Sequence, residues 1–214
     1  MYGINGQTTK EKIFILIAQI VYLIVSYYLL FIFHEKNYIS IGLFVALIIT
    51  SLRLTAMMFI WLPRGIGWKE AIGNSTAFAI YFLGFPILTV MNNQDSNMIL
   101  FTAGWMFFLV GSTLNTASEL LRKPFKDNPL NKGKLYTGGL FKYAIHINYF
   151  GDCLWVLGLA LISNNLYSLL IPVGLFLLFM TSYIPNSDKY LQNKYGEQFT
   201  AYKKDTKKLI PFIW

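Results

Sequence analysis

The chain has 214 residues, 55% of them hydrophobic and 17% aromatic but only 13% charged, with a net charge of +8. A soluble domain carries about a quarter of its residues as charges, so this composition excludes a soluble fold and points into a membrane. The single Cys153 excludes an intrachain disulfide and a thiolate zinc cluster, and the two histidines, His34 and His146, argue against a multi-histidine di-iron site. In chain order, Ile13–Phe33 and Tyr38–Leu62 are apolar runs longer than the ~18 residues that mark a transmembrane candidate. The first is too long for a signal-peptide core and no small-residue cleavage site follows it, so it reads as a retained span. Thr76–Met91 comes next, short and interrupted by Pro86, and then the long Met98–Leu121. Gly151–Ile162 is short again, and Leu166–Ile184 closes at Pro185. The expected fold is all-α, a polytopic membrane bundle of about six transmembrane helices.

Six spans place both termini, and the loops after the second and fourth spans, on one side. Of the eighteen Lys and Arg residues, only Lys36 falls on the other side and only Arg53 inside a span. That asymmetry puts both termini in the cytoplasm by the positive-inside rule. It also accounts for the basic balance through anionic headgroups, with no need of nucleic acid. No repeat or long linker divides the chain, so residues 1–214 read as one integral membrane domain. The segment Arg122–Lys142 holds Pro124, Pro129, Gly133 and the pair Gly138–Gly139, and reads as a shaped cytoplasmic loop rather than a helix. After a Ser187–Asp188 N-cap signal, Leu191, Tyr195, Phe199 and Tyr202 recur at helical spacing, which predicts an amphipathic helix in the tail.

A charge inside a span costs at least ~2.5 kcal/mol on insertion scales, and usually faces the bundle interior. Arg53 is one such charge, readable as a structural ion pair, a snorkelling side chain or a contact to substrate or cofactor. In the fourth span Asn115, Glu119 and Arg122 recur at intervals of four and three and so share one face. Glu119 and Arg122 could form no more than a local ion pair, yet the stripe leads inward from the most basic loop. The stretch "GLFKYAIHINYFGD" supplies a second wall. If it is helical from His146 onward, Asn148 and Asp152 share one face, and His146, Tyr149 and Cys153 another. His146 reads as a capping or packing residue or as a contact to a cofactor. Together these residues offer two amide–carboxylate pairs, suited to an amide, ribose hydroxyls or an amino group.

On these residues the chain resembles the steroid 5α-reductase superfamily, in particular small bacterial membrane proteins of the DUF1295 type. "NTASELLR", "YTGGLFKYAIHINYFGD" and "KKLIPFIW" match three family segments in order, covering Asn115 to Trp214. The resemblance implies that residues 98–214 are a cofactor-binding half, with residues 1–97 as variable substrate-side helices. It implies NADPH held by Asn115, Glu119, Arg122, Tyr136, Asn148 and Asp152; His146 is a further candidate for cofactor binding, and no metal is expected. The expected activity is NADPH-dependent reduction of a C=C bond in a lipophilic acceptor. The early acidic residue and tyrosine with which steroid reductases polarise an enone have no clear counterpart, since Glu35 precedes Lys36 where a proline belongs. Arg53 and Tyr149 are the candidates for the catalytic role. A bacterial cytoplasmic membrane is the expected location, with membrane lipids and a lipophilic small molecule as partners.

Two other readings fit the same residues. Isoprenylcysteine and phospholipid methyltransferases are similar in "YGEQFTAYKK" and the terminal Ile-Pro-Phe, and use S-adenosylmethionine. Their Arg-His-Pro-x-Tyr-x-Gly segment corresponds to Ile145–Gly151, where the Arg and Pro are absent. A membrane scaffold without catalysis is the third reading.

Overall fold

The computed structural model describes residues 8–34, 37–61, 64–92 and 97–214; Glu35 and Lys36, which entered the sequence reading, lie outside them. The described elements are helical, with α1 Thr9–Phe31, α2 Tyr38–Ala56, α3 Trp68–Ala79, α4 Phe85–Val90 and α5 Met98–Asp127. They continue with α6 Ile147–Ile162, α7 Leu170–Leu178, α8 Ile184–Tyr195 and α9 Glu197–Asp205. Among the described residues, five continuous helical stretches are long and apolar enough to cross a membrane: Thr9–Phe31, Tyr38–Trp61, Trp68–Val90, Met98–Asp127 and Leu166–Tyr195. The sixth expected span is α6, whose sixteen residues rise about 24 Å, short of the ~30 Å hydrocarbon core. The protein is an integral, multi-pass, all-α membrane bundle.

Three of the long stretches contain a π-turn, at Met57–Trp61, Ile80–Gly84 and Phe179–Tyr183. Each ends two residues before a proline in the sequence: Pro63, Pro86 and Pro185. Proline lacks the N–H that would bond the carbonyl four residues back, and its ring crowds that carbonyl. Widening the preceding turn relieves the crowding and leaves carbonyls needing donors. Ser26 Oγ on α1 donates to the carbonyl of Phe82, four residues before Pro86. Lys12 Nζ, also on α1, donates to Met58 O in the first π-turn at 3.1 Å. Neighbouring helices thereby satisfy backbone groups that lipid cannot.

The same chemistry corrects three expected boundaries. The third span begins at Trp68, not Thr76, because Lys69 and Glu70 occupy its first turn and Glu70 pairs with Arg64. α5 does not stop at Leu121 but runs through Pro124 to Asp127. So late a proline removes only one bond, and Lys123 pairs with Asp127 at i, i+4, 2.6 Å. Pro185 follows the π-turn Phe179–Tyr183 inside the continuous helical stretch Leu166–Tyr195, so the helix runs past it. Ser187 and Asp188 are therefore mid-helix and cap nothing. The tail helix is instead broken at Gly196, whose φ of 51° only glycine adopts freely.

The chain divides into two compact units, Met1–Phe108 with Val156–Pro172, and Leu109–Trp155 with Val173–Trp214. In the first, Ile15 of α1 packs with Ile66 and Ala71, and Ser51 Oγ of α2 donates to Gln19 Oε1 of α1 at 2.8 Å. At the other end of its helices, Asn97 caps α5 through Oδ1 while exchanging hydrogen bonds with the Asn164 side chain at 2.8 and 2.9 Å. A Cβ placed on Gly158 would lie 2.4 Å from Phe108 N, so α5 and α6 touch backbone to backbone there. In the second unit the same two helices touch again, where a Cβ on Gly151 would lie 2.6 Å from Asn115 N and one on Gly111 2.3 Å from Trp155 N. Gly104 and Gly111, like Gly151 and Gly158, stand seven residues apart. Small residues at this spacing let membrane helices approach without hydrophobic driving force.

Candidate functional site

The backbone contact at Gly111 and Gly151 brings short polar side chains of α5 and α6 within bonding range. Asn115 Nδ2 donates to Asp152 Oδ1 at 2.8 Å and to the Asn148 carbonyl at 3.2 Å. Asn148 Nδ2 donates to Glu119 Oε1 at 3.3 Å. The pairing is crosswise, each helix's amide serving the other helix's carboxylate. Trp155 Nε1 adds a second donor to Asp152 Oδ1 at 2.8 Å. Arg122 closes the row, with Nε 3.1 Å from Glu119 Oε2 and Nη2 also bonded there. Asn115 and Glu119 are buried, so the Glu119 carboxylate depends on protein donors rather than on water.

Beyond Arg122 the row continues into the loop. The guanidinium lies 4.9 Å over the Phe141 ring. Tyr136 packs against Phe125 and Phe141 and donates to Leu121 O at 3.2 Å. The Gly138–Gly139 pair makes room for it, because a Cβ on Gly139 would stand 2.8 Å from the Tyr136 hydroxyl, and Gly139 is held at φ 55°. Tyr202 of α9 donates to Phe141 O at 2.5 Å. Burial pushes its phenol up, against the opposing charge of Arg122, so it stays protonated as a donor.

His146 and Tyr149 form a neighbouring group. His146 Nε2 lies 2.8 Å from Asp188 Oδ1 of α8, whose other oxygen faces Lys203 at 3.5 Å. The imidazole stacks on Tyr149 at 5.4 Å, and Tyr149 on Phe179 at 4.7 Å. The His146 and Ile145 N–H groups donate to Lys208 O and Lys207 O at 3.0 and 2.8 Å. In sequence Asp188 resembles a helix cap, which hides its role as the partner of His146. The usable signal is its place on the stripe Asp188–Leu191–Tyr195, of which Leu191 and Tyr195 pack against the cluster of Ile145, Phe199 and Tyr202. Asp188→Asn keeps the shape and removes a charged hydrogen bond from a buried ring, which should cost about 2 kcal/mol of stability. Thermal unfolding at neutral pH measures it, and an unchanged midpoint would show the contact to be idle.

Of the residues expected from sequence, Asn115, Glu119, Arg122, Asn148 and Asp152 share one hydrogen-bonded row, with Tyr136, His146 and Tyr149 in the same unit. Arg53 is buried in α2 and belongs to the first unit.

Residues 73–206 match the family described as "Protein of unknown function (DUF1295)". Among curated proteins, the chain is 33% identical over 113 residues to the 3-oxo-5-alpha-steroid 4-dehydrogenase 1 of Rattus norvegicus, covering 53% of this chain and 42% of that protein. The protein of the same name from Mus musculus is 31% identical over the same length, with the same coverage. The "Probable O-methyltransferase ustE" of Ustilaginoidea virens is 41% identical over 88 residues, covering 41% of this chain and 31% of that one. The chain thus spans less than half the length of these relatives. Its match across more than half of its own residues, with the likeness to the steroid dehydrogenases, is what defines it: the chain belongs to the DUF1295 family of the steroid 5α-reductase superfamily.

Proposed function

We propose that this protein is a membrane-embedded oxidoreductase that uses NADPH to reduce a C=C bond in a lipophilic acceptor. The observation that carries the reading is the crosswise row of two amides and two carboxylates ending in Arg122. The likeness to proteins named 3-oxo-5-alpha-steroid 4-dehydrogenase supports the reaction class.

The side chains present fit a dinucleotide. Beside the row, Ser112 Oγ and Thr116 Oγ1 are buried with no hydrogen-bond partner among the described residues, a cost that a polar ligand would remove. In this reading Asn115 and Asn148 orient a carboxamide, while Glu119 and Asp152 accept from ribose hydroxyls. Arg122 turns from Glu119 to a phosphate, its planar fork suiting either partner. Tyr136 and His146 flank the ligand. NADPH, when bound, supplies a hydride. The chain's own part is to exclude water, fix the acceptor and deliver a proton to it. Tyr149, held flat between His146 and Phe179, is the proposed donor. The basic end would face the cytoplasm, in bacteria the cytosolic face of the inner membrane.

A methyltransferase using S-adenosylmethionine is the second reading, favoured by the likeness to the probable O-methyltransferase. Thermal unfolding of the purified protein with NADPH and, separately, with S-adenosylmethionine decides between them. A ligand at 100 times its Kd adds about 2.7 kcal/mol of apparent stability. We expect stabilisation by NADPH alone. Stabilisation by S-adenosylmethionine alone would overturn the reductase in favour of methyl transfer, and none by either would leave a scaffold.

A further inference from the structure

Residues 207–214 form a clasp whose root and tip differ in character. At the root, the carbonyls of Lys207 and Lys208 accept from Ile145 and His146, immediately before α6 begins at Ile147. Leu209 is fully buried there, against Phe179 and Ile184. The clasp therefore lies at the level where the chain enters the apolar region.

The tip closes on itself. Leu209 N–H and Ile210 N–H both donate to Trp214 O at 2.8 Å, and Ile213 N–H and Trp214 N–H both donate to Ile210 O. Pro211 has no N–H to satisfy. These bonds leave the Phe212 N–H without a backbone partner among the described residues, so the turn suits the headgroup boundary, where water and headgroup oxygens accept from it, rather than the hydrocarbon core. It is also bent outward at a cost, since Phe212 is held at φ 66°, a region bulky side chains avoid. The result is that Phe212 and Ile213 are 76% and 74% exposed. Tyr143 packs on Phe212 at 5.5 Å. Two ammonium groups flank the apolar tip: Lys142 Nζ lies 4.7 Å over Tyr143 and Lys208 Nζ 5.1 Å over Trp214.

Apolar side chains at the tip, aromatic rings beside them and cations on the rim match the layers of a bilayer surface, from acyl chains to headgroups to phosphate. We propose that this clasp, with Lys142 and Tyr143, is an interfacial anchor. It seats Phe212 and Ile213 at the acyl–headgroup boundary and pairs Lys142 and Lys208 with the phosphates of anionic phospholipid. The inference is independent of the cofactor reading.

The test is an environment-sensitive fluorophore on Ile213→Cys, with Phe212→Cys as a second position, in nanodiscs of phosphatidylcholine with or without phosphatidylglycerol. The wild-type protein, whose single Cys153 is half-buried, controls for stray labelling. We expect blue-shifted emission and quenching by lipids spin-labelled near the glycerol, both stronger with phosphatidylglycerol. Lys142→Gln with Lys208→Gln should erase the phosphatidylglycerol increment and keep the basal shift. Water-like emission in both lipids would overturn the anchor and leave the tip for a soluble partner. A depth indifferent to phosphatidylglycerol and to both lysines would overturn the recognition of anionic lipid.

Discussion

Gly151→Val should fail to accumulate as folded protein. The new Cβ would stand 2.6 Å from the backbone nitrogen of Asn115, 2.9 Å from the Gly111 carbonyl and 3.0 Å from Asn115 Cα. No rotamer change relieves a clash with backbone, so α5 and α6 must separate. Separation stretches both hydrogen bonds of Asn115 to α6. Overpacking alone costs about 1–3 kcal/mol, and the lost polar contacts add to it, against a total stability of about 5–15 kcal/mol. Gly111→Ala, meeting Trp155 N at 2.3 Å, should behave alike. Gly73→Ala is the contrast: nothing lies within 4 Å of its Cβ, so it should stabilise α3 by about 0.5–1 kcal/mol. Yield and thermal unfolding in one detergent compare all three, and a Gly151→Val protein melting with the wild type would refute the backbone contact.

Asn148→Ala should separate binding from folding. It removes one donor to Glu119, while the Asn148 carbonyl still receives Asn115 and Glu119 keeps Arg122. A single such bond between membrane helices contributes about 0.6 kcal/mol on average, so the midpoint should move little. In the reductase reading the same amide contacts the ligand directly. Its loss should raise the Kd for NADPH at least about a hundredfold, or ~2.7 kcal/mol. Titration of the purified variant measures it; wild-type affinity in Asn148→Ala would remove the row from the proposed site. Asn115→Ala should disturb both quantities, because Asn115 bonds the backbone as well as the carboxylate.

The contrast between these two substitutions shows what could be read from sequence. The stripe of Asn115, Glu119 and Arg122 was legible because helical period alone puts them on one face. The amphipathic positions Leu191, Tyr195, Phe199 and Tyr202 were legible likewise, and all four belong to one hydrophobic cluster with Ile145. The partnerships were not legible. That Asn115 serves Asp152 and Asn148 serves Glu119, and not each its own helical neighbour, follows from how closely two backbones approach at Gly111 and Gly151. That His146 meets Asp188 across 42 residues depends on α8 running through Pro185. The effect of a proline was not legible either, because it depends on its surroundings: the Phe82 carbonyl before Pro86 finds a donor in Ser26, Pro124 comes late in α5, and Pro185 follows a π-turn.

The π-turns before Pro86 and Pro185 have a consequence for how such spans can change length. A π-turn is an α-helix holding one surplus residue. Loss of a residue from Ile80–Gly84 or Phe179–Tyr183 tightens the turn and leaves both flanks in register. The same loss in the middle of α5 would swing Asn115, Glu119 and Arg122 by about 100°, off the face that meets α6. These bulges are therefore the spans' slack, where an ancestral or engineered indel is absorbed before it reaches the polar row.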